Sequence, residues 1–115
     1  MTIAKLIASI CIIASSLSIS TNSLATERSH TSTLKAVYPL ASGDFVLLFD
    51  VDAALCTATN SPKYMYVSVG QNGVTSAGSS KLYAAALLAL STRQTLSMAF
   101  DDSTTYCYIS RYTIG

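Results

Sequence analysis

The chain has 115 residues, with seven lysines and arginines against six aspartates and glutamates, one histidine, three cysteines, seven tyrosines and no tryptophan. That length allows one domain of modest core. The even charge balance has no basic cluster, which argues against a nucleic-acid partner, because backbone binding needs a concentrated positive face.

Met1 to Ala25 carries one cation, Lys5, then the apolar run LIASICIIASSL, then a polar stretch ending Ser23-Leu24-Ala25. This is the pattern of a secretory signal peptide over residues 1–25 with a small-x-Ala cleavage site. The apolar run is well short of the roughly 20 residues a spanning helix needs, so no membrane span is expected. Cys11 is not a lipid-attachment cysteine, since Ile10 precedes it and the apolar core continues past it. Cleavage leaves six cations and six anions between Thr26 and Gly115. It also leaves two cysteines, Cys56 and Cys107, which in an oxidising compartment are most simply one disulfide. Closing a loop of about 50 residues is worth roughly 4 kcal/mol in the chain-entropy description.

Residues 26–32 (TERSHTS) are polar and without hydrophobic periodicity, and they read as a flexible N-terminal arm holding His30. Residues 33–115 read as the folded domain. Thr33 to Leu40 starts it as a strand, with Leu34, Ala36 and Tyr38 on one face and Pro39 marking an edge or turn. After the turn Ala41 to Asp44, Phe45 to Val51 (FVLLFDV) is a strand apolar on both faces and so buried on both. A loop from Asp52 to Pro62 carries Cys56. Lys63 to Gly70 (KYMYVSVG) is a strand with Met65, Val67 and Val69 on one face and Tyr64, Tyr66 and Ser68 on the other.

Asn72-Gly73 has turn chemistry, and Ser79 or Ser80 is positioned to cap a helix from Lys81 to Arg93. Four alanines and four leucines in that helix leave few positions for water. Its surplus apolar surface predicts self-association through Leu82, Ala85, Ala86 and Ala89, the small residues letting a neighbouring helix approach closely. Thr95 to Phe100 alternates with Leu96, Met98 and Phe100 inward. The last strand, Tyr106 to Ile114, places Cys107 and Ile109 on one face and Tyr106, Tyr108 and Tyr112 on the other.

The expected fold is mainly β with one helix in the order β-β-β-α-β-β. That is the order of an OB-fold, a five-stranded barrel with its helix between the third and fourth strands. A flat sheet with a helix laid across it has the same order.

No residue pattern points to catalysis, a cofactor or a metal. His30 lies outside every expected strand, where no rigid neighbour would position it for a triad. Asp50/Asp52 and Asp101/Asp102 lie at strand ends beside turn residues, where turn and cap duty accounts for them better than acid/base work. Asp50-x-Asp52 also lacks the glycine turn and distal Glu of a calcium loop. The glycines lack a lysine that would complete a phosphate cradle. The tyrosines are the candidate binding residues: Tyr64, Tyr66, Tyr106, Tyr108 and Tyr112. An aromatic ring with a hydroxyl tip suits sugar and protein surfaces alike, although cross-strand pairing on a half-exposed sheet accounts for the same pattern.

Ser80 to Cys107, with its K-L-Y-x-x-x-L-L-A-L helix, the T-R-Q link, the strand T-L-S-M-A-F and the later cysteine, resembles the C-terminal half of binding subunits of pertussis-like and subtilase-cytotoxin-like bacterial toxins. The resemblance covers about thirty residues well and the remainder only by element order, and no residue here matches the sugar-contacting serine of those subunits. It implies a secreted, disulfide-bonded OB-fold subunit assembling with itself as a ring, usually a pentamer, with helices around the axis. It further implies binding of cell-surface glycans and carriage of a separate catalytic chain. The expectation is therefore a secreted or periplasmic bacterial binding subunit rather than an enzyme. The alternative is a monomeric periplasmic structural or enzyme-inhibitor protein whose helix is covered by its own barrel.

Overall fold

The computed structural model describes residues 26–115, so the signal peptide expected over residues 1–25 lies outside the described residues. The elements are β1 (Glu27–Pro39), β2 (Phe45–Phe49), β3 (Met65–Val67), α1 (Ser76–Thr92), β4 (Thr95–Asp101) and β5 (Ile109–Ile114). All pairings are antiparallel, in one five-stranded sheet of order β3-β2-β1-β4-β5. The chain is thus mainly β with one helix. The strand ladder is not closed, and β3 and β5 are its two edges.

The expected flexible arm at residues 26–32 is corrected by β1, which runs from Glu27 and pairs with β4 from Glu27↔Asp101 to Thr33↔Thr95. The segment does alternate, but in polar residues: Arg28, His30 and Ser32 are the more buried set, and Glu27, Ser29 and Thr31 the exposed one. Hydropathy cannot register such a pattern. The pairing is reinforced by ion pairs Arg28–Asp102 (2.9 Å) and Arg111–Glu27 (2.5 Å). His30, expected to be a tail residue, lies edge-on to Phe49 with ring centroids 5.5 Å apart. Its Nε2 is 2.7 Å from the Val51 carbonyl oxygen, and since a carbonyl can only accept, Nε2 carries the proton.

Two bulges decide which side chains point inward. In the β1–β2 ladder Leu34 pairs with Phe49 and Ala36 with Leu48, so Lys35 is the extra residue. One extra residue reverses a period-two pattern. Leu34 and Val37 therefore face the core, whereas Tyr38, expected on the same face as Leu34, is exposed. In the β4–β5 ladder Ala99 pairs with Arg111 and Phe100 with Ile109, leaving Ser110 as the extra residue. Ile109 and Tyr112 then both pack on the core.

β2 is buried at all five positions, as its unbroken apolar run requires. Phe45, Leu47 and Phe49 enter the core with Met65, Leu96, Phe100 and Ile109. Val46, on the opposite face, is paired with Tyr38 on one side and Tyr66 on the other.

The helix starts five residues before the expected Lys81. Its N-cap is Thr75, whose hydroxyl accepts from the Gly78 backbone N–H at 3.0 Å. A Cβ on Gly78 would come within 3.1 Å of that hydroxyl, so the glycine leaves room for the cap. The chain leaves the helix at Arg93 in the left-handed conformation, φ 58°, its N–H donating to the Ala89 carbonyl. Arg93 also donates to the Leu34 carbonyl (2.6 Å) and pairs with Asp50 (2.8 Å). Thr75→Ala is expected to cost about 1 kcal/mol by exposing an unpaired helix N–H, read as a lower urea midpoint with unchanged slope.

Among the described residues no helix is long and apolar enough to cross a membrane. Cys56 and Cys107 form the expected disulfide, with Cα atoms 5.8 Å apart, buried in the core.

Candidate functional site

The two free edges of the sheet meet near the disulfide. β3 is short, the segment before β5 is irregular, and they touch through one backbone hydrogen bond, Tyr66 N–H donating to the Tyr106 carbonyl at 3.1 Å. Cys107 has φ 46°, a left-handed conformation that interrupts the expected last strand and delays β5 until Ile109. The loop after Cys56 is tied to the same place. Thr57 donates to the Thr104 carbonyl at 3.0 Å, three residues before Cys107.

These restraints gather aromatic rings from both edges. Tyr66 and Tyr106 lie edge to face at 5.2 Å, Tyr106 and Tyr108 stack at 5.4 Å, and Tyr64 meets Tyr38 edge to face at 6.1 Å. Tyr64, Tyr66 and Tyr106 line a cleft of about 250 Å³ together with Ala58, Thr59, Asn60 and Thr105. Tyr106 is 49 % and Tyr64 38 % exposed. Asn60 is steadied by donating one amide hydrogen to the Pro62 carbonyl at 2.9 Å.

No charged side chain lines this cleft. Lys63, adjacent in sequence, is turned to other duty: its Nζ donates to the carbonyls of Ala53 (3.0 Å) and Cys56 (2.8 Å). Tyr108 has its hydroxyl pushed above the ordinary value of 10.0, chiefly by burial and then by the neighbouring Tyr106, Asp44 and Tyr66. That shift keeps the Tyr108 hydroxyl protonated at physiological pH.

Four of the five candidate tyrosines thus come together, counting Tyr108 as the ring behind Tyr106. Tyr112 does not. The bulge at Ser110 turns it inward, where its hydroxyl donates to the Leu82 carbonyl of α1. Burial holds that hydroxyl protonated far above the usual tyrosine range. Both shifts are upward, so the protonated native form keeps its advantage below about pH 10 and loses it as the unfolded tyrosines ionise first. Stability should fall as the pH is raised through about 10 and beyond, and Tyr112→Phe should flatten that fall in denaturation measured across alkaline pH.

Asn60, Thr59 and Thr105 were not among the expected site residues. They flank Cys56 and Cys107 at a distance of two to four positions, and the disulfide is the signal that could have brought their loops together.

The helix also needs correction. Ala86 and Ala89, expected at a contact between copies, have no exposed surface and belong to the core of their own chain, with Leu82 packed beside them. Ala85 is half-buried. The face left to solvent holds Ala84, Leu87 and Leu88, the leucines 42 % and 53 % exposed.

The carboxylates serve the frame. Asp50 accepts from Thr33 and Arg93, which hold it below the ordinary carboxylate value. Asp52 accepts from Lys63 N–H at 2.9 Å and Asp101 from Ser103 N–H at 2.6 Å. Asp102 is held low mainly by the Arg28 guanidinium.

Comparison with known protein families, with curated proteins and with solved structures finds no match to this chain.

Proposed function

We propose that this chain is an exported bacterial binding module without catalytic activity of its own, which recognises cell-surface glycans through the cleft between Tyr64, Tyr66 and Tyr106. The observation that carries this reading is the convergence of rings from two sheet edges some forty residues apart on one open cleft, with amide and hydroxyl groups at its rim. Aromatic surface with polar tips is what a partly apolar, partly hydroxylated ligand requires. In this reading the curled sheet is an OB-fold-like barrel. The strand order and the Tyr66–Tyr106 hydrogen bond across its two edges favour that over a flat sheet.

The chain as exported by its host should bind a subset of glycans on an array, and Tyr106→Ala should abolish the signal. No binding above background would end the glycan reading and leave a protein surface as the ligand.

The same proposal includes self-association through the outer helix face, as a ring such as a pentamer. Leu87 and Leu88 side by side in water support it. The burial of Ala86 and Ala89 within one chain favours instead the monomeric structural or inhibitor protein. Sedimentation decides between them: an oligomer that Leu88→Lys dissociates supports the ring, and a monomer at high concentration excludes it.

A further inference from the structure

We infer that the ligand of the tyrosine cleft is a single neutral sugar ring, one that carries neither a carboxylate nor an ammonium group. This narrows the proposed glycan recognition and rests on it.

Size is the first argument. About 250 Å³ lies below the roughly 300–1,000 Å³ of pockets that enclose drug-sized ligands. A branched oligosaccharide or a helix does not fit, whereas one pyranose ring does, with the rest of a chain leaving through the open side.

Charge is the second. A carboxylate or ammonium entering the cleft would surrender hydration and find no opposite charge among the lining residues, a loss that only pairing offsets. The nearest cation in sequence, Lys63, is committed to two backbone carbonyls. Asp44, whose charge is felt at Tyr108, is not part of the lining and accepts from the Val69 N–H. A hydroxylated neutral ring meets groups that suit it. The exposed rings of Tyr64 and Tyr106 take its C–H surface, and Asn60, Thr59 and Thr105 supply donors and acceptors for its hydroxyls.

Rigidity is the third. The walls are the β3 edge and two loops, and the loops are joined by the disulfide and by the Thr57–Thr104 hydrogen bond. Little ordering remains to be done when the ligand arrives, which favours a small ligand with few contacts.

The test uses matched methyl glycosides: glucose, galactose and mannose, each with its uronic acid and its amino sugar. Binding to the exported chain is followed by ligand-detected NMR at moderate salt. At least one neutral glycoside should bind in the millimolar range and at least about ten-fold more tightly than its two charged counterparts. Tyr106→Ala should weaken it about ten-fold. Asn60→Ala, an exposed loop position that leaves the core untouched, should weaken it about three- to ten-fold. A uronic acid or amino sugar that binds as well as or better than the neutral parent overturns the inference while leaving glycan recognition standing. Absence of binding by the whole series, together with a blank glycan array, overturns both.

Discussion

Replacing both cysteines, Cys56→Ala with Cys107→Ala, is expected to lower the unfolding free energy by about 4 kcal/mol. The disulfide spans 51 positions, and releasing that loop returns entropy to the unfolded chain, about 4 kcal/mol on the loop-length relation. A domain of 90 described residues has a total stability of roughly 5–13 kcal/mol, so the variant sits near the edge of folding at 37 °C. Thermal denaturation should show a midpoint lower by about 20 °C. The proposed sugar binding should suffer more than the folded fraction. The bond joins the loop carrying Thr59 and Asn60 to the one carrying Thr105 and Tyr106, so the cleft loosens before the core does. A variant that keeps both its midpoint and its ligand affinity would show that packing alone holds these loops.

The second large effect is expected at Phe45. Its ring is almost wholly buried and pairs edge to face with Tyr83 of α1 at 5.1 Å, while its backbone registers β2 against β3 at Val67 and against β1 at Pro39. Phe45→Ala removes a full core side chain and leaves a cavity under the helix, costing about 3–5 kcal/mol. Because Tyr83 loses its partner, α1 should become the first element to exchange its amide hydrogens. Equilibrium unfolding gives the magnitude and hydrogen exchange gives the location. A cost below about 1 kcal/mol would mean that the helix closes down onto β2, which Ala86 and Ala89 are small enough to permit.

Much of the frame could be read in the sequence. The apolar run FVLLF reads as a strand covered on both faces, the alanine- and leucine-rich segment reads as a helix, and Cys56 and Cys107 are the two cysteines of residues 26–115 and so the simplest pair. These are local signals, or in the disulfide's case simple counting. The helix begins ahead of Lys81 because the missing side chain of Gly78 admits the Thr75 cap, where the hydroxyls of Ser79 and Ser80 offered an equally good cap in the sequence.

The candidate site was legible in part, for a physical reason. Tyr-x-Tyr on one face can be read off any strand, but which face depends on register, and register is set by a partner strand. The extra residues Lys35 and Ser110 are invisible until the ladders form. They turned Tyr38 outward against Tyr64 and drew Tyr112 into the core, away from Tyr106 and Tyr108.

The sequence by itself determined the number and order of elements, the buried strand β2 and the disulfide, because periodicity, propensity and cysteine count are properties of short stretches. Only the tertiary structure decided that ERSHTS is strand, since its alternation is written in polar residues and held by ion pairs to Asp102, just past β4, and to Arg111 of β5. It also decided which side of α1 meets water and where the two sheet edges converge. Those outcomes depend on contacts between residues far apart in the chain, and the tyrosine cleft exists only where such contacts bring them together.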